Sequence, residues 1–157
     1  VCCYPALTGQ TLASVKVHYI FSTQDRAPWL SDDMRLRLFA YIGGIASDRQ
    51  CPLLGAGGMP DHVHLLLVLH PSISLADLAR DIKANSSRWI HETFPEKQGF
   101  AWQDGYGVFG VGESAVEDVK AYLAAQADHH RQRSFQEEYT RFLEKNRVPF
   151  DPKYVWS

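Results

Sequence analysis

The sequence predicts an α+β fold of the ferredoxin-like, split βαβ type: a four-stranded antiparallel sheet with helices on one face, followed by a C-terminal helix that carries a tyrosine. Two observations predict it. The segment from Met59 to Leu69 is an apolar run that is too short for a membrane helix, and it follows a Gly/Pro turn, which is typical of a buried central strand. The elements also follow the order strand, helix, strand, strand, helix, strand, helix, helix, and the first six match this fold.

The first half of the chain supplies three strands and a helix. The first strand is predicted from Ser14 to Phe21, where β-branched and aromatic residues dominate. Ser31 or Asp32 then caps a helix whose apolar residues follow the helical repeat. Residues 51–58 form a second strand, and the turn after it predicts a hairpin with the third strand.

Three capping signals mark the later helices. Ser74 with Asp77, Ser114 with Glu117, and Ser134 with Glu137 all resemble capping boxes, which place a helix start at each serine. Between the first two, residues 100–111 predict a turn and a fourth, glycine-punctuated strand. With helices on one face, the other face of the sheet is expected to be open to a ligand. We expect one domain over residues 1–157, with a loose lead-in over about 1–12 and a tail over about 148–157.

Composition narrows the class of protein. Of the 157 residues, 45% are hydrophobic and 22% are charged, which is typical of a globular protein rather than a disordered one. Cys2, Cys3 and Cys51 are odd in number and form no CxxC pair, which argues against a disulfide framework or a zinc ribbon and favours the cytoplasm. No apolar stretch suggests a membrane partner. The net charge of −2 counts mildly against a nucleic-acid binder, although a local basic groove is compatible with it.

Two histidines open the predicted third strand. Because residues i and i+2 of a strand point to the same face, His62 and His64 should project side by side. Two imidazoles held in this way can chelate a divalent metal if at least one further ligand comes from elsewhere. The alternative is a pair of histidines on a solvated strip of the sheet.

A second polar group lies on the predicted third helix. Gln126 lies about 40° and His129 about 20° from Tyr122 around a helix, so all three can face one site. A tyrosine hydroxyl is a weak nucleophile at its usual pKa of about 10. Beside a metal-bound phosphodiester it can attack, and Gln126 can supply a third ligand oxygen. Alternatively, Tyr122 is a packing residue and the other two are solvated.

Several segments together resemble the small single-tyrosine transposases of bacterial insertion sequences, which belong to the HUH nuclease group. The resemblance runs from about Val17 to Trp156 and rests on the His-hydrophobic-His motif with the tyrosine and glutamine downstream. The segments that carry it are residues 17–23, 59–66, 105–109, 122–126 with His129 and His130, 134–138 and 150–156. Gly110 and Gly112 depart from it, because serine is frequent there in the family.

The resemblance implies metal-dependent cleavage and rejoining of single-stranded DNA at the ends of an insertion sequence. It implies that His62, His64 and Gln126 hold Mg²⁺ or Mn²⁺ against the scissile phosphate. Tyr122 would then attack that phosphate and form a 5′-phosphotyrosine bond, with His129 as an accessory residue. It further implies recognition of a subterminal DNA hairpin, and a homodimer in which the tyrosine helix of one subunit completes the histidine site of the other.

The candidate contacts to DNA are four basic residues in the first loop and on the second helix. They are Arg26, Arg80, Lys83 and Arg88. The sequence is also compatible with two alternative functions. One is a non-catalytic module that binds single-stranded DNA on the same fold, and the other is a replication- or transfer-initiating nuclease of the HUH group.

Overall fold

A four-stranded antiparallel sheet forms the centre of the part of the chain that the computed structural model describes, residues 11–126 and 133–156. Its strands are β1 (Lys16–Ser22), β2 (Leu53–Met59), β3 (His62–Val68) and β4 (Gly107–Val111). Their order across the sheet is β2-β3-β1-β4, and each neighbouring pair is antiparallel. This sheet confirms the predicted fold class, and β2 and β3 form the predicted hairpin.

Four helices accompany the sheet within the described ranges: α1 (Asp32–Asp48), α2 (Leu75–Thr93), α3 (Val116–Ala124) and α4 (Phe135–Lys145). The side chains of Ser31 and Ser74 cap α1 and α2, and Ser134 forms both bonds of a capping box at α4. Among these helices, none is long and apolar enough to cross a bilayer.

The predicted capping box at Ser114 is wrong. Residues 113–115 form a single 3₁₀ turn, in which the Ala115 amide donates to the Gly112 carbonyl over 2.9 Å. Helix α3 therefore begins one residue later than predicted, with Ala115 as its N-cap and no side-chain hydrogen bond there. The serine lies inside the turn, where its hydroxyl cannot take the N-cap position.

Helices α1 and α2 cover one face of the sheet. Inward-facing residues of β1 and β3 pack there against apolar residues of both helices, as the strand and helix periodicities require. The largest fully buried side chains of this core are Tyr19, Phe21, Leu30, Met34, Leu38, Ile42, Leu65, Leu67, Leu78 and Ile82.

Helices α3 and α4 cover the opposite face, so the expectation that this face lies open to a ligand is wrong. Ile20 and Phe109 of the sheet pack against the apolar side of α4, and Leu66 packs against α3. Both helices carry an apolar stripe that has to be removed from water, and the bare sheet provides the surface for it. The histidines of β1 and β3 that point to this face are consequently buried.

Glycines in β2 allow α3 to lie directly on the sheet. A Cβ atom built on Gly57 would lie 2.1 Å from the backbone oxygen of Leu123, far closer than any real contact. At Gly55 the same construction meets the side chains of Leu123 and Lys120 at 3.5 and 3.6 Å. The last turn of α3 therefore approaches β2 to a distance that only glycine at position 57 permits.

Candidate active site

The two histidines of β3 lie side by side on the face covered by α3 and α4. Both are fully buried. Each has a partner on its Nδ1 atom: the Asp61 carboxylate lies 2.7 Å from His62, and Nε2 of His18 lies 2.9 Å from His64. Partners on Nδ1 fix the orientation of both rings and leave the two Nε2 atoms to face the interior of the site.

His18 of β1 is suited to accept a hydrogen bond from His64. Burial, together with the nearby imidazole of His64, lowers the pKa of His18 to about 3, so its ring is neutral near pH 7. A neutral ring has one acceptor nitrogen, and Nε2 of His18 can accept a hydrogen bond from the Nδ1–H group of His64. In that tautomer the Nε2 lone pair of His64 is available to a metal.

A carboxylate from α4 meets these two nitrogens. Glu138 Oε1 lies 3.3 Å from His64 Nε2, and Glu138 Oε2 lies 3.7 Å from His62 Nε2. One ligand atom from each of the three residues lies within 4.8 Å of the others. Two imidazole nitrogens and a carboxylate oxygen are suitable ligands for a divalent cation, so the residues fit one.

Burial raises the pKa of Glu138 to about 7, while the attraction of His62 acts in the opposite direction. The carboxyl group therefore changes its charge close to neutral pH. A cation among the three residues would favour the ionised form, because it adds positive charge beside a carboxylate that burial otherwise drives towards neutrality.

Tyr122 and Gln126 reach the same carboxylate. The Tyr122 hydroxyl donates a hydrogen bond to Glu138 Oε1, and the Gln126 amide donates to the same oxygen over 3.2 Å. The side-chain oxygen of Gln126 lies 3.4 Å from His62 Nε2. The structure thus brings together all four residues predicted for the metal and the nucleophile. The predicted accessory residue, His129, lies outside the described residues.

Sequence reasoning missed Glu138 as a member of this site. A signal for it was present, because Glu138 falls on the same helical face as Phe135, Tyr139 and Leu143, all of which are buried. A carboxyl group in an apolar stripe requires a buried polar partner. The sequence predicted a helix start at Ser134 and a family resemblance for this segment, but no role was considered for the charge of Glu138.

A cavity of about 380 Å³ leads from the surface to this site. We call it the Tyr122 cavity. Its lining consists of His18, Ala115, Asp118, Val119, Tyr122, Arg133, Glu138, Arg141, Phe142 and Lys145. Since both histidines of β3 are fully buried, the cavity provides access to Tyr122 and Glu138 rather than to these two imidazoles.

The basic residues predicted on α2 lie away from this site, because α2 covers the other face of the sheet. Arg80 pairs with Asp77 at 2.9 Å, and Arg88 donates to Asn85 over 2.7 Å. Lys83 donates to three backbone carbonyls of residues 103–105, at 2.9, 3.2 and 2.5 Å. Lys83 therefore anchors the segment that leads into β4. Arg26, by contrast, lies near α4, with its guanidinium 2.8 Å from the side-chain amide of Gln136.

Replacing Lys83 with methionine is expected to lower the free energy of unfolding by about 2 kcal/mol, because three carbonyls lose a charged donor. Denaturant unfolding followed by circular dichroism measures the change. Arg88→Ala is the matched control on the same helix and should shift stability by less than about 0.5 kcal/mol. Equal stabilities of the two variants would show that the three hydrogen bonds do not anchor this segment.

Residues 11–126 match the family model described as "Transposase IS200 like". Among curated proteins, the chain is 25% identical over 119 residues to the "ISDra2 transposase TnpA" of Deinococcus radiodurans, covering 73% of this chain and 85% of the relative. It is 22% identical over 128 residues to the "Transposase for insertion sequence element IS200" of Salmonella typhimurium, covering 78% and 84%.

Two solved structures resemble this fold. A crystal structure of a candidate transposase from Deinococcus radiodurans superposes with a TM-score of 0.62 and 27% identity, covering 76% of this chain and 97% of the other. A REP-associated tyrosine transposase bound to a REP hairpin superposes with a TM-score of 0.57 and 14% identity, covering 79% and 74%. At that lower identity, the second likeness concerns the fold alone.

Proposed function

The chain belongs to the IS200-like transposase family, and from this membership and the site we propose that it cleaves and rejoins single-stranded DNA through a 5′-phosphotyrosine intermediate. One observation carries the proposal. The Tyr122 hydroxyl, the Glu138 carboxylate and the Nε2 atoms of His62 and His64 converge within one buried site. A nucleophile beside a potential metal-binding cluster is an arrangement that supports phosphodiester cleavage.

The metal ligands in this proposal are His62, His64 and one or both of Gln126 and Glu138. Mg²⁺ or Mn²⁺ held by them would neutralise charge on the scissile phosphate. The protein's own part is to hold the ligands in place. Asp61 and His18 orient the two imidazoles through their Nδ1 atoms, and the enclosed face of the sheet excludes water from the ligand atoms.

Tyr122 supplies the attacking oxygen. Its oxygen forms the new bond to phosphorus, the bond from phosphorus to the 3′ oxygen breaks, and the hydroxyl proton passes to the Glu138 carboxylate with which it is hydrogen-bonded. The departing 3′ oxygen takes up a proton and leaves as a free hydroxyl, so one proton is released and one is consumed. Attack of such a hydroxyl on another phosphotyrosine rejoins two strands without ATP.

A labelled oligonucleotide tests this function directly. Incubation with the protein and Mn²⁺ should yield a covalent protein–DNA adduct that survives denaturation and carries the label placed on the 3′ side of the cut. The same reaction should release a shorter strand with a free 3′-hydroxyl. Binding of the oligonucleotide without any adduct would instead favour a non-catalytic single-strand-binding module.

Recognition of a subterminal DNA hairpin is also part of the proposal. It is supported by the solved tyrosine transposase that carries a REP hairpin, whose fold this chain shares. Arg26, Arg80 and Arg88 remain the candidate contacts, whereas the ammonium of Lys83 is already engaged by three carbonyls. Charged contacts of this kind would position the DNA backbone rather than read its bases.

The predicted homodimer with trans active sites stays a prediction, and the described site offers an alternative to it. Tyr122 lies beside the histidines of its own chain, with ring centroids of Tyr122 and His64 5.9 Å apart. A trans arrangement would require α3 to leave this position. Gly110 and Gly112, which precede α3 and whose Cβ positions meet no other atom within 4 Å, would permit such a movement.

Mixing two inactive variants decides between the arrangements. Tyr122→Phe and His64→Ala each lack one half of the chemistry. If cleavage occurs within one chain, as the described geometry predicts, every site in the mixture keeps one defect and no adduct forms. Recovery of a fraction of wild-type cleavage, with heterodimers demonstrated by differential tagging, would establish the trans site instead.

A further inference from the structure

The outer end of the Tyr122 cavity is basic. Arg141 and Lys145 lie four residues apart on α4 and so on the same side of that helix, and Arg133 directly precedes its N-cap. All three are exposed. Within the described residues, no ion pair joins any of them to a carboxylate. They therefore present positive charge that no carboxylate of residues 11–126 or 133–156 neutralises in an ion pair.

The net charge of the chain is −2, so this concentration of cations is local. Two carboxylates also line the cavity among the residues that the structure describes. Glu138, at the inner end of the cavity, accepts a hydrogen bond from the Tyr122 hydroxyl. The second carboxylate, Asp118, lies on α3. The three basic side chains outnumber these two carboxylates, so the outer end of the cavity is positively charged. A positively charged entrance beside a nucleophile attracts an anionic substrate.

Apolar groups lie between the basic end and the nucleophile. Phe142 contacts the rings of Tyr122 and His18, with centroids 5.8 and 5.2 Å away, and it stacks on Phe109 at 5.5 Å. Ala115, the N-cap of α3, and Val119 within α3 also line the cavity. A volume of about 380 Å³ with an aromatic wall and cations at one end suits a small ligand that is apolar at one part and anionic at another.

We propose that the Tyr122 cavity is a subsite for the nucleotide that adjoins the scissile phosphate, with its base against Phe142 and its backbone phosphates on Arg141, Lys145 and Arg133. This inference rests on the proposed function, because it places that nucleotide beside the attacking hydroxyl. It moves the main phosphate contacts for the single strand from α2 to α4. Arg26 lies beside Gln136 at the start of α4, and Gln136 lines a second depression together with Arg133 and Arg141.

The test compares two double variants that each remove two positive charges. Arg141→Ala/Lys145→Ala removes the cations of the cavity, and Arg37→Ala/Arg49→Ala removes the same charge at α1, behind the sheet. The probe is a fluorescent oligothymidylate of about 12 nucleotides, which has no hairpin. Its affinity is measured by anisotropy at several salt concentrations without added metal.

The cavity variant should bind the probe about tenfold more weakly. The negative slope of log affinity against log salt should become less steep by about 1.4, as expected for two lost phosphate contacts on a single strand. The α1 variant should match wild type in both. Equal losses in the two double variants would show a general effect of net charge and overturn the proposal. Unchanged binding of the cavity variant would overturn it as well.

The binding and adduct experiments together distinguish an error in the proposed subsite from an error in the proposed function. If the cavity variant binds normally while wild-type protein forms the covalent adduct, the function stands and the subsite is wrong. If the cavity variant loses binding as described but wild-type protein forms no adduct with Mn²⁺, the subsite binds single-stranded DNA and the cleavage chemistry is wrong.

Discussion

Tyr122→Phe should lower formation of the covalent protein–DNA adduct at least about a thousandfold, because the variant lacks the oxygen that attacks phosphorus. The ring itself remains and keeps its contacts with His64 and Phe142, so the protein should stay folded. It should also still bind Mn²⁺ and single-stranded DNA, since neither depends on the hydroxyl. Denaturing electrophoresis of the labelled oligonucleotide after reaction measures the loss.

Tyr106→Phe is the matched control. Its ring packs against Tyr19, with centroids 5.6 Å apart, in the core on the other face of the sheet. That variant should form adduct at the wild-type level. Adduct formed by Tyr122→Phe at the wild-type level would exclude Tyr122 as the nucleophile, and loss of adduct in Tyr106→Phe with the fold intact would transfer the role to Tyr106.

His64→Ala should abolish cleavage and weaken Mn²⁺ binding at least about a hundredfold, since it removes one of the converging imidazole nitrogens. Isothermal titration with Mn²⁺ provides a measurement that does not depend on activity. His18→Asn removes the Nδ1 partner of His64 but none of the predicted metal ligands, and it should weaken Mn²⁺ binding by about 10–100-fold. Chelation by EDTA should reproduce the loss of cleavage in the wild-type protein.

His70→Ala serves as the control, because its imidazole bonds with exposed Ser72 and lies outside the site. It should bind Mn²⁺ normally. Comparing Gln126→Ala with Glu138→Gln then identifies the third ligand, since the larger loss of Mn²⁺ affinity belongs to the residue that contacts the ion. Cleavage that persists in excess chelator would exclude the metal-dependent mechanism.

Much of this arrangement could be predicted from residue patterns. The i, i+2 spacing of His62 and His64 in an apolar strand required both to face the same side, and the helical spacing of Tyr122 and Gln126 gave them a common face. The two pairs, His62 with His64 and Tyr122 with Gln126, are brought together by the packing of α3 on β2. A local sequence pattern cannot predict such a tertiary contact. The sequence analysis could therefore identify the members of the site, but only the family resemblance placed them together.

The position of Glu138 beside the histidines could not be predicted from local sequence patterns. The capping box at Ser134 was predicted and sets the start of α4. The turn of α4 that faces the histidines depends on how Phe135 and Tyr139 pack against the sheet, including the stacking of Phe135 on the His62 ring at 4.3 Å. The open face predicted for the sheet left no place for such a helix. Because that expectation was wrong, the carboxylate that completes the site was not considered.

The close approach at Gly57 has a consequence for how this protein tolerates mutation. Most single methyl groups added to a protein are accommodated by small shifts nearby. At Gly57 the obstacle is the backbone of Leu123, the residue after the proposed nucleophile Tyr122, so alanine there must displace the end of α3. A shift of about 1 Å in a reacting group can slow catalysis roughly a hundredfold. Gly57 thus sets the distance between α3 and β2. Substitutions of Gly57 should therefore inactivate the protein although this residue has no reactive side chain.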